Sequence, residues 1–256
     1  MKLLQIFFYC TLFSAFNIAI AQTKTPNVNA DFIKIDPYGN IYTVEKAQIS
    51  KFSLQGKLLY TYSNQKLGLI SSIDVFNPMK IMLFYQDAGI IVFLNEQLAL
   101  LRESINLSDA GYYNISLASY SAANQIHLYD NASKFLITLD FSLREISKTP
   151  LNFNSFNPTT LIELEEKNIA FHDPMTGIYL FDTFGTFNKL IPIITPNAIE
   201  ITSTLIYYTN NDELILYNYK TLSLETQQLP ISNVQKSIIY RNNRILLLLD
   251  GTIWIY

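Results

Sequence analysis

An all-β fold of six small antiparallel sheets, set radially as a β-propeller, is what the sequence predicts, and three observations predict it. Apolar residues come in runs of four to six, broken by Asn, Asp, Gly and Pro, with no sustained helical period. The composition suits pleated surfaces: 49% apolar and only 15% charged, with 17 Tyr and 17 Phe in 256 residues. The runs also recur in pairs at a nearly constant period.

The second run of each pair covers residues 49–52, 90–93, 135–138, 178–181, 214–217 and 253–256. Their ends, Phe52, Phe93, Thr138, Phe181, Tyr217 and Tyr256, are spaced by 41, 45, 43, 36 and 39 residues. The partner runs are 41–44, 81–85, 126–129, 169–172, 205–208 and 245–249, and a less regular third run precedes them, as at 32–35, 70–76 and 160–164. Turn formers punctuate the pairs: Asp87-Ala88-Gly89, Asp130-Asn131, Asn210-Asn211-Asp212 and Asp250-Gly251. One small sheet cannot bury two apolar faces, whereas six packed side by side bury each other. Residues 136–139 and 246–249, apolar on both faces, fit that arrangement. A membrane barrel fits less well, because its strands alternate apolar with polar over about ten residues.

Within the first copy, Asp36-Pro37-Tyr38-Gly39-Asn40-Ile41-Tyr42 resembles the D-x-x-G-N-hydrophobic-aromatic turn of NHL-like six-bladed propellers. The resemblance implies a turn between the two inner strands, shaped by the Asp and the Gly. Other copies keep only Asn there: Asn124, Asn168 and Asn242-Asn243.

Residues 1–21 read as a signal peptide, with Lys2 before an apolar run over 3–16 and the small-x-small site Ala19-Ile20-Ala21. Cys10 follows Phe8-Tyr9 rather than small residues, which argues against lipidation. Cleavage would leave one propeller domain, 22–256, with no cysteine and no transmembrane segment, to be held together by its core alone. The expected location is exported: periplasmic or outer-membrane associated, or else secreted. The last copy ends at its third strand, so residues 22–29 are expected to pair beside 253–256 and close the ring.

Net charge −3 offers no basic field for a phosphate backbone, so nucleic acid is not an expected partner. No G-x-S-x-G elbow, P-loop, GxGxxG or HExxH is present. His127 and His172 occupy equivalent runs and are expected to be ordinary, partly buried strand residues rather than ligands. Six-bladed propellers of the lactonase type hold a channel metal on Glu, Asn and Asp, and Asp74, Glu163 and Glu200 are the candidate channel residues here. Tyr112, Tyr113, Phe153 and Phe156 fall in loop-like stretches and are candidates for a rim binding surface or for capping the blades. No catalytic set and no cofactor is predicted. The expected function is a non-catalytic protein-binding or scaffold subunit of a bacterial envelope assembly, its partner another envelope protein. The alternatives are a metal-dependent hydrolase of the lactonase kind and a glycan-binding propeller.

Overall fold

The computed structural model describes residues 23–24, 30–164, 168–241, 243–250 and 252–255. Apart from one 3₁₀ turn at Gln65–Leu67, its elements are strands gathered into six four-stranded antiparallel sheets, which form a six-bladed propeller. A short strand, β1 (Thr23–Lys24), comes first. Blade one then holds β2 (Phe32–Ile35), β3 (Ile41–Glu45), β4 (Gln48–Phe52) and β5 (Leu58–Ser63). Blade two holds β6 (Ser72–Asp74), β7 (Ile81–Tyr85), β8 (Ile90–Leu94) and β9 (Ile105–Asn106). Blade three holds β10 (Ile115–Tyr120), β11 (Gln125–Asp130), β12 (Phe135–Asp140) and β13 (Glu145–Pro150). Blade four holds β14 (Thr160–Glu163), β15 (Asn168–Asp173), β16 (Gly177–Asp182) and β17 (Phe187–Ile191). Blade five holds β18 (Ile199–Ile201), β19 (Leu205–Asn210), β20 (Glu213–Asn218) and β21 (Ser223–Gln228). Blade six holds β22 (Val234–Tyr240), β23 (Asn243–Leu248) and β24 (Ile253–Ile255).

The paired runs of the sequence are thus the second and third strands of each blade. The irregular third run is the first strand, which packs against first strands of neighbouring blades and lines the central channel. In blade six, β1 lies outermost on β24, pairing Thr23 with Ile255 and Lys24 with Trp254. The rest of the expected closing segment, residue 22 and residues 25–29, lies outside the described residues, as do the predicted signal peptide, Gly251 and Tyr256.

Burial follows radius. β7 is buried along its whole length and β15 and β16 nearly so, whereas β13 and β21 on the rim are largely exposed. The core is accordingly divided into six apolar clusters, one between each pair of neighbouring blades. Tyr129, Phe171 and Phe181 help to fill the gap between blades three and four. Ile33, Ile41 and Phe52 of blade one meet Ile238, Ile245 and Leu247 of blade six, so blades one and six also share a core. A fully buried Leu, Ile or Phe contributes about 1.5–3 kcal/mol, so each interface holds many times the strength of a single contact.

The turns repeat as well. At the end of β4, β12 and β16, Ser53, Asp140 and Asp182 each accept backbone N–H bonds from the residues two and four further on. The residue three further on, Gly56, Leu143 or Gly185, has positive φ. A β-bulge follows in each case and turns the outer strand.

The first-copy motif has the same physical basis. Asp36 Oδ1 accepts the N–H groups of Tyr38 and Asn40 at 2.9 Å, while Oδ2 accepts Asn40 Nδ2 at 2.8 Å and Tyr42 O–H at 3.0 Å. Gly39 has φ of 89°, and a Cβ there would lie 2.8 Å from the ring of Tyr240 in blade six. In blade three Ser121 and Asn124 (φ 58°) rebuild the turn with a hydroxyl acceptor. Replacing Asp36 by Ala strands several donors in a buried turn, and thermal or urea unfolding should show a loss of about 1–3 kcal/mol. Ser121→Ala, which removes a neutral acceptor, should lower stability less.

Candidate channel-mouth site

The first strands end on one face of the disc, where Asp74 and Phe76, Tyr120 and Ala122, Glu163 and Leu164, and Ile201 and Thr202 line a pocket of about 150 Å³. Four successive blades contribute two residues each. Glu200 precedes Ile201 on β18 but does not line this pocket. It turns toward the seam, where its Oε1 lies 2.6 Å from Lys236 Nζ of blade six and 3.2 Å from Lys34 Nζ of blade one.

Burial pushes the Glu200 carboxyl up, but Lys236 and then Lys34 outweigh it and hold the group down to about 2. Lys236 is itself pushed down by burial, against the attraction of Glu200. The group is therefore an ionised triad, two cations around one anion, which ties blades five, six and one together. Burial also raises Tyr207 on the neighbouring β19, with the Glu200 charge adding to it.

Asp74 sits differently. Its Oδ1 accepts the Phe76 N–H at 3.0 Å and its Oδ2 the Tyr120 N–H at 3.4 Å. Burial pushes its carboxyl up, opposed by those two N–H groups and by the more distant charge of Lys34. Tyr120 is pushed up to about 12 by burial and then by Asp74, and its O–H donates to Asn124 Oδ1 at 2.9 Å.

On the opposite side of the pocket, Glu163 Oε2 lies 4.0 Å from His127 Nε2, while His127 Nδ1 lies 3.0 Å from Thr138 Oγ1. Burial pushes the fully enclosed imidazole down to about 4, so it is neutral at pH 7. His172 is also buried, and burial lowers it too, against the Thr195 backbone. It stands opposite Thr160 on β14, whereas His127 stands opposite Ser119 on β10. The two imidazoles therefore serve different surroundings.

All three acidic candidates thus lie on first strands, with Asp74 and Glu163 at one pocket and Glu200 committed to the lysines. Among the described residues no group of three or more His, Cys, Asp or Glu side chains forms a metal-binding set. Of the aromatic candidates, Phe156 is buried and Phe153 half-buried, packed on Tyr179, Phe181 and Phe187 with ring centroids 4.8–5.8 Å apart. Both cap the core between blades three and four. Tyr112 is half-buried and donates to Glu145 at 3.4 Å, while Tyr113 is exposed. Lys34, Lys236, Phe76, Tyr120 and the His127–Glu163 contact are additions that only the structure supplies. The available signal was one lysine flanked by apolar strand residues, Ile33-Lys34-Ile35, whereas Lys236 lies between polar Gln235 and Ser237 and gives none.

No protein-family model and no curated protein matches the chain. Solved structures do. A streptogramin B lyase is 13% identical over 92% of this chain and 86% of its own, with a TM-score of 0.58. The WD40 domain of Neurospora crassa Pan2 is 9% identical, covering 88% of each chain, with a TM-score of 0.63. BBS1N, solved in complex with ARL6DN, is 15% identical over 87% of this chain and 75% of its own, with a TM-score of 0.56. At these identities the shared property is the propeller fold.

Two measurements check the electrostatics. Glu200→Gln leaves Lys236 buried without its counter-ion and should cost about 3–5 kcal/mol, with Glu200→Gln/Lys236→Met recovering a large part of it in a double-mutant cycle. Lowering the pH should destabilise the wild type in two windows. Between pH 6.5 and about 4 the unfolded chain takes up a proton that buried His127 refuses, a loss that His127→Gln should reduce in urea melts, with lowered His172 supplying the remainder. From pH 4.5 down toward 2, Glu200 contributes a further loss, absent from the double variant.

Proposed function

We propose that this chain is an exported, non-catalytic propeller that binds another protein through the face carrying the channel-mouth pocket, as a subunit of a bacterial cell-envelope assembly in the periplasm or at the outer membrane. The observation that carries the reading is where the channel charges go. Glu200, Lys34 and Lys236 pair with one another in a triad that holds blades together, and His127 is kept neutral by burial. An acid–base catalyst needs a group poised to exchange protons near the working pH, and neither of these is poised so.

The same face is suited to a protein surface. Antiparallel order puts the first-to-second and third-to-fourth strand connections of every blade on it, and there Tyr38, Phe76, Met79, Phe184 and Leu222 are 45–75% exposed. Large apolar groups exposed around a pocket mark contact surfaces. The export reading rests on residues 1–21, and the choice of an envelope protein as partner rests on that export.

A second reading is favoured by one feature: Asp74 and Glu163, two carboxyls from separate blades, face one pocket. A metal-dependent hydrolase of the lactonase kind would use such a pair. It expects divalent metal in the purified protein that is lost in Asp74→Asn and Glu163→Gln. A glycan-binding propeller would rely on exposed Tyr113, which lies on the other face, and expects Tyr113→Ala to abolish binding on a glycan array.

The leading reading is tested by affinity capture from the source envelope with the full chain as bait. A discrete protein should be retained and should be lost on the triple substitution Tyr38→Ser, Phe184→Ser, Leu222→Ser. It should survive Met175→Ser with Leu249→Ser, which alters the opposite face. Capture unaffected by either variant would overturn the assignment of this face.

A further inference from the structure

We infer that Lys80 and Arg102, two cations gathered over the ring of Phe141 on the pocket-bearing face, are the contact for an acidic segment of the partner protein; this rests on the reading that this face binds protein. Lys80 ends the first-to-second connection of blade two, and Arg102 lies in the third-to-fourth connection of the same blade. Phe141 follows β12 in blade three. Its ring is set against Phe93 and Tyr120, with centroids 5.0 and 6.1 Å away. Lys80 Nζ lies 4.4 Å and Arg102 Cζ 5.0 Å from the centroid of that one ring. The packing of blade two on blade three thus places both head groups before any partner arrives.

Both cations are held by neutral groups. Lys80 donates to Asn124 Oδ1 and Arg102 Nη1 to the Phe141 carbonyl, each at 2.9 Å. An ammonium carries three donors and a guanidinium five, so one bond apiece leaves donors to spare. Among the described residues neither head group forms an ion pair, and exposed Glu103, next to Arg102 in the chain, does not pair with it. Arg144, in the connection that carries Phe141, is by contrast bound to Asp140 at 2.6 Å. A ring face attracts a cation without cancelling its charge, so two positive charges stand together with no anion between them.

The surroundings say what kind of anion fits. Phe76, Met79, Leu100 and Leu101, in the same two connections of blade two, are 42–59% exposed. Cations set among exposed apolar side chains suit a protein segment in which acidic and apolar residues alternate. The two faces also differ in charge among the described residues. Lys57, Lys220 and Arg241 stand on other connections of the pocket-bearing face, against Glu96 and Glu103. On the opposite face Asp87, Asp212 and Asp250 stand on the second-to-third connections, against Lys46 and Lys134. An acidic segment is therefore steered to the pocket-bearing face.

The test is fluorescence anisotropy of the full chain with a labelled hexapeptide, Asp-Leu-Phe-Asp-Leu-Phe, and its uncharged counterpart, Asn-Leu-Phe-Asn-Leu-Phe. The acidic peptide should bind, and the Asn peptide should bind about tenfold more weakly. Raising the salt from about 0.05 M to about 0.5 M should weaken only the acidic peptide. Lys80→Gln with Arg102→Gln should weaken the acidic peptide about tenfold and leave the Asn peptide unchanged. Lys80→Gln alone, which removes one bond to exposed Asn124 and spares the fold, should cost about threefold, and Lys80→Arg should restore it. Lys46→Gln with Lys66→Gln, on the opposite face, should leave binding as it is. An acidic peptide that does not bind, that binds no better than its Asn counterpart, or that keeps full affinity in Lys80→Gln with Arg102→Gln would overturn the proposal. Binding to phosphatidylglycerol vesicles without binding to the peptide would overturn it as well. Partner capture that persists in Lys80→Gln with Arg102→Gln, yet is lost on the triple substitution of Tyr38, Phe184 and Leu222, would overturn it and leave the protein-binding reading intact.

Discussion

The structure depends on the burial of apolar strand faces between neighbouring blades. A sheet such as β6–β9 has no sheltered side of its own: Met82, Phe84, Ile91 and Phe93 face blade three, while Leu83, Tyr85, Val92 and Leu94 face blade one. Alternation along each strand sends successive residues to opposite neighbours. No blade is stable by itself, and each exists because the next one covers it. The requirement extends round the circle, so the first and last blades must meet, and the cluster of Ile33, Ile41, Ile245 and Leu247 is where they do.

That seam carries polar reinforcement as well as apolar packing. Glu200 reaches Lys236 of the last blade and Lys34 of the first, and Tyr240 of the last blade donates to the Pro37 carbonyl of the first at 3.0 Å. Gly39 has the room that the Tyr240 ring needs. A buried ion pair adds little net stability against a well-packed apolar alternative, but it specifies geometry, because each charge accepts only a narrow set of partners. Here it specifies which blades come together. The charges of this triad thereby act as architecture.

The turns show how local chemistry and packing divide the work. Asp36, Asp140 and Asp182, and Ser53 and Ser121 in their place elsewhere, perform one operation: an acceptor side chain gathers the N–H groups of the residues after it. A repeat search keyed to residue identity sees one clear motif in Asp36–Asn40, whereas a search keyed to the acceptor function would have found several. The same reasoning explains the aromatic residues. Phe153 and Phe156 look like loop residues because Asn and Pro surround them, yet the connection folds inward and uses them to roof the gap between blades three and four.

The sequence by itself determined that the chain is all-β, that it repeats six times, and which runs form the second and third strands of each blade, because hydrophobic period and turn formers act over a few residues. It also marked the acidic members of the channel as first-strand residues. What only the tertiary structure decided is which of them meet. Asp74 and Glu163 are 89 positions apart and Lys34 and Glu200 are 166 apart. Their approach is set by the radial packing of whole blades, and the offset of each first strand against its neighbour is fixed by the sum of many side-chain contacts. Whether a carboxylate becomes a structural anion or part of an open pocket depends on that offset, and no local stretch of sequence contains it.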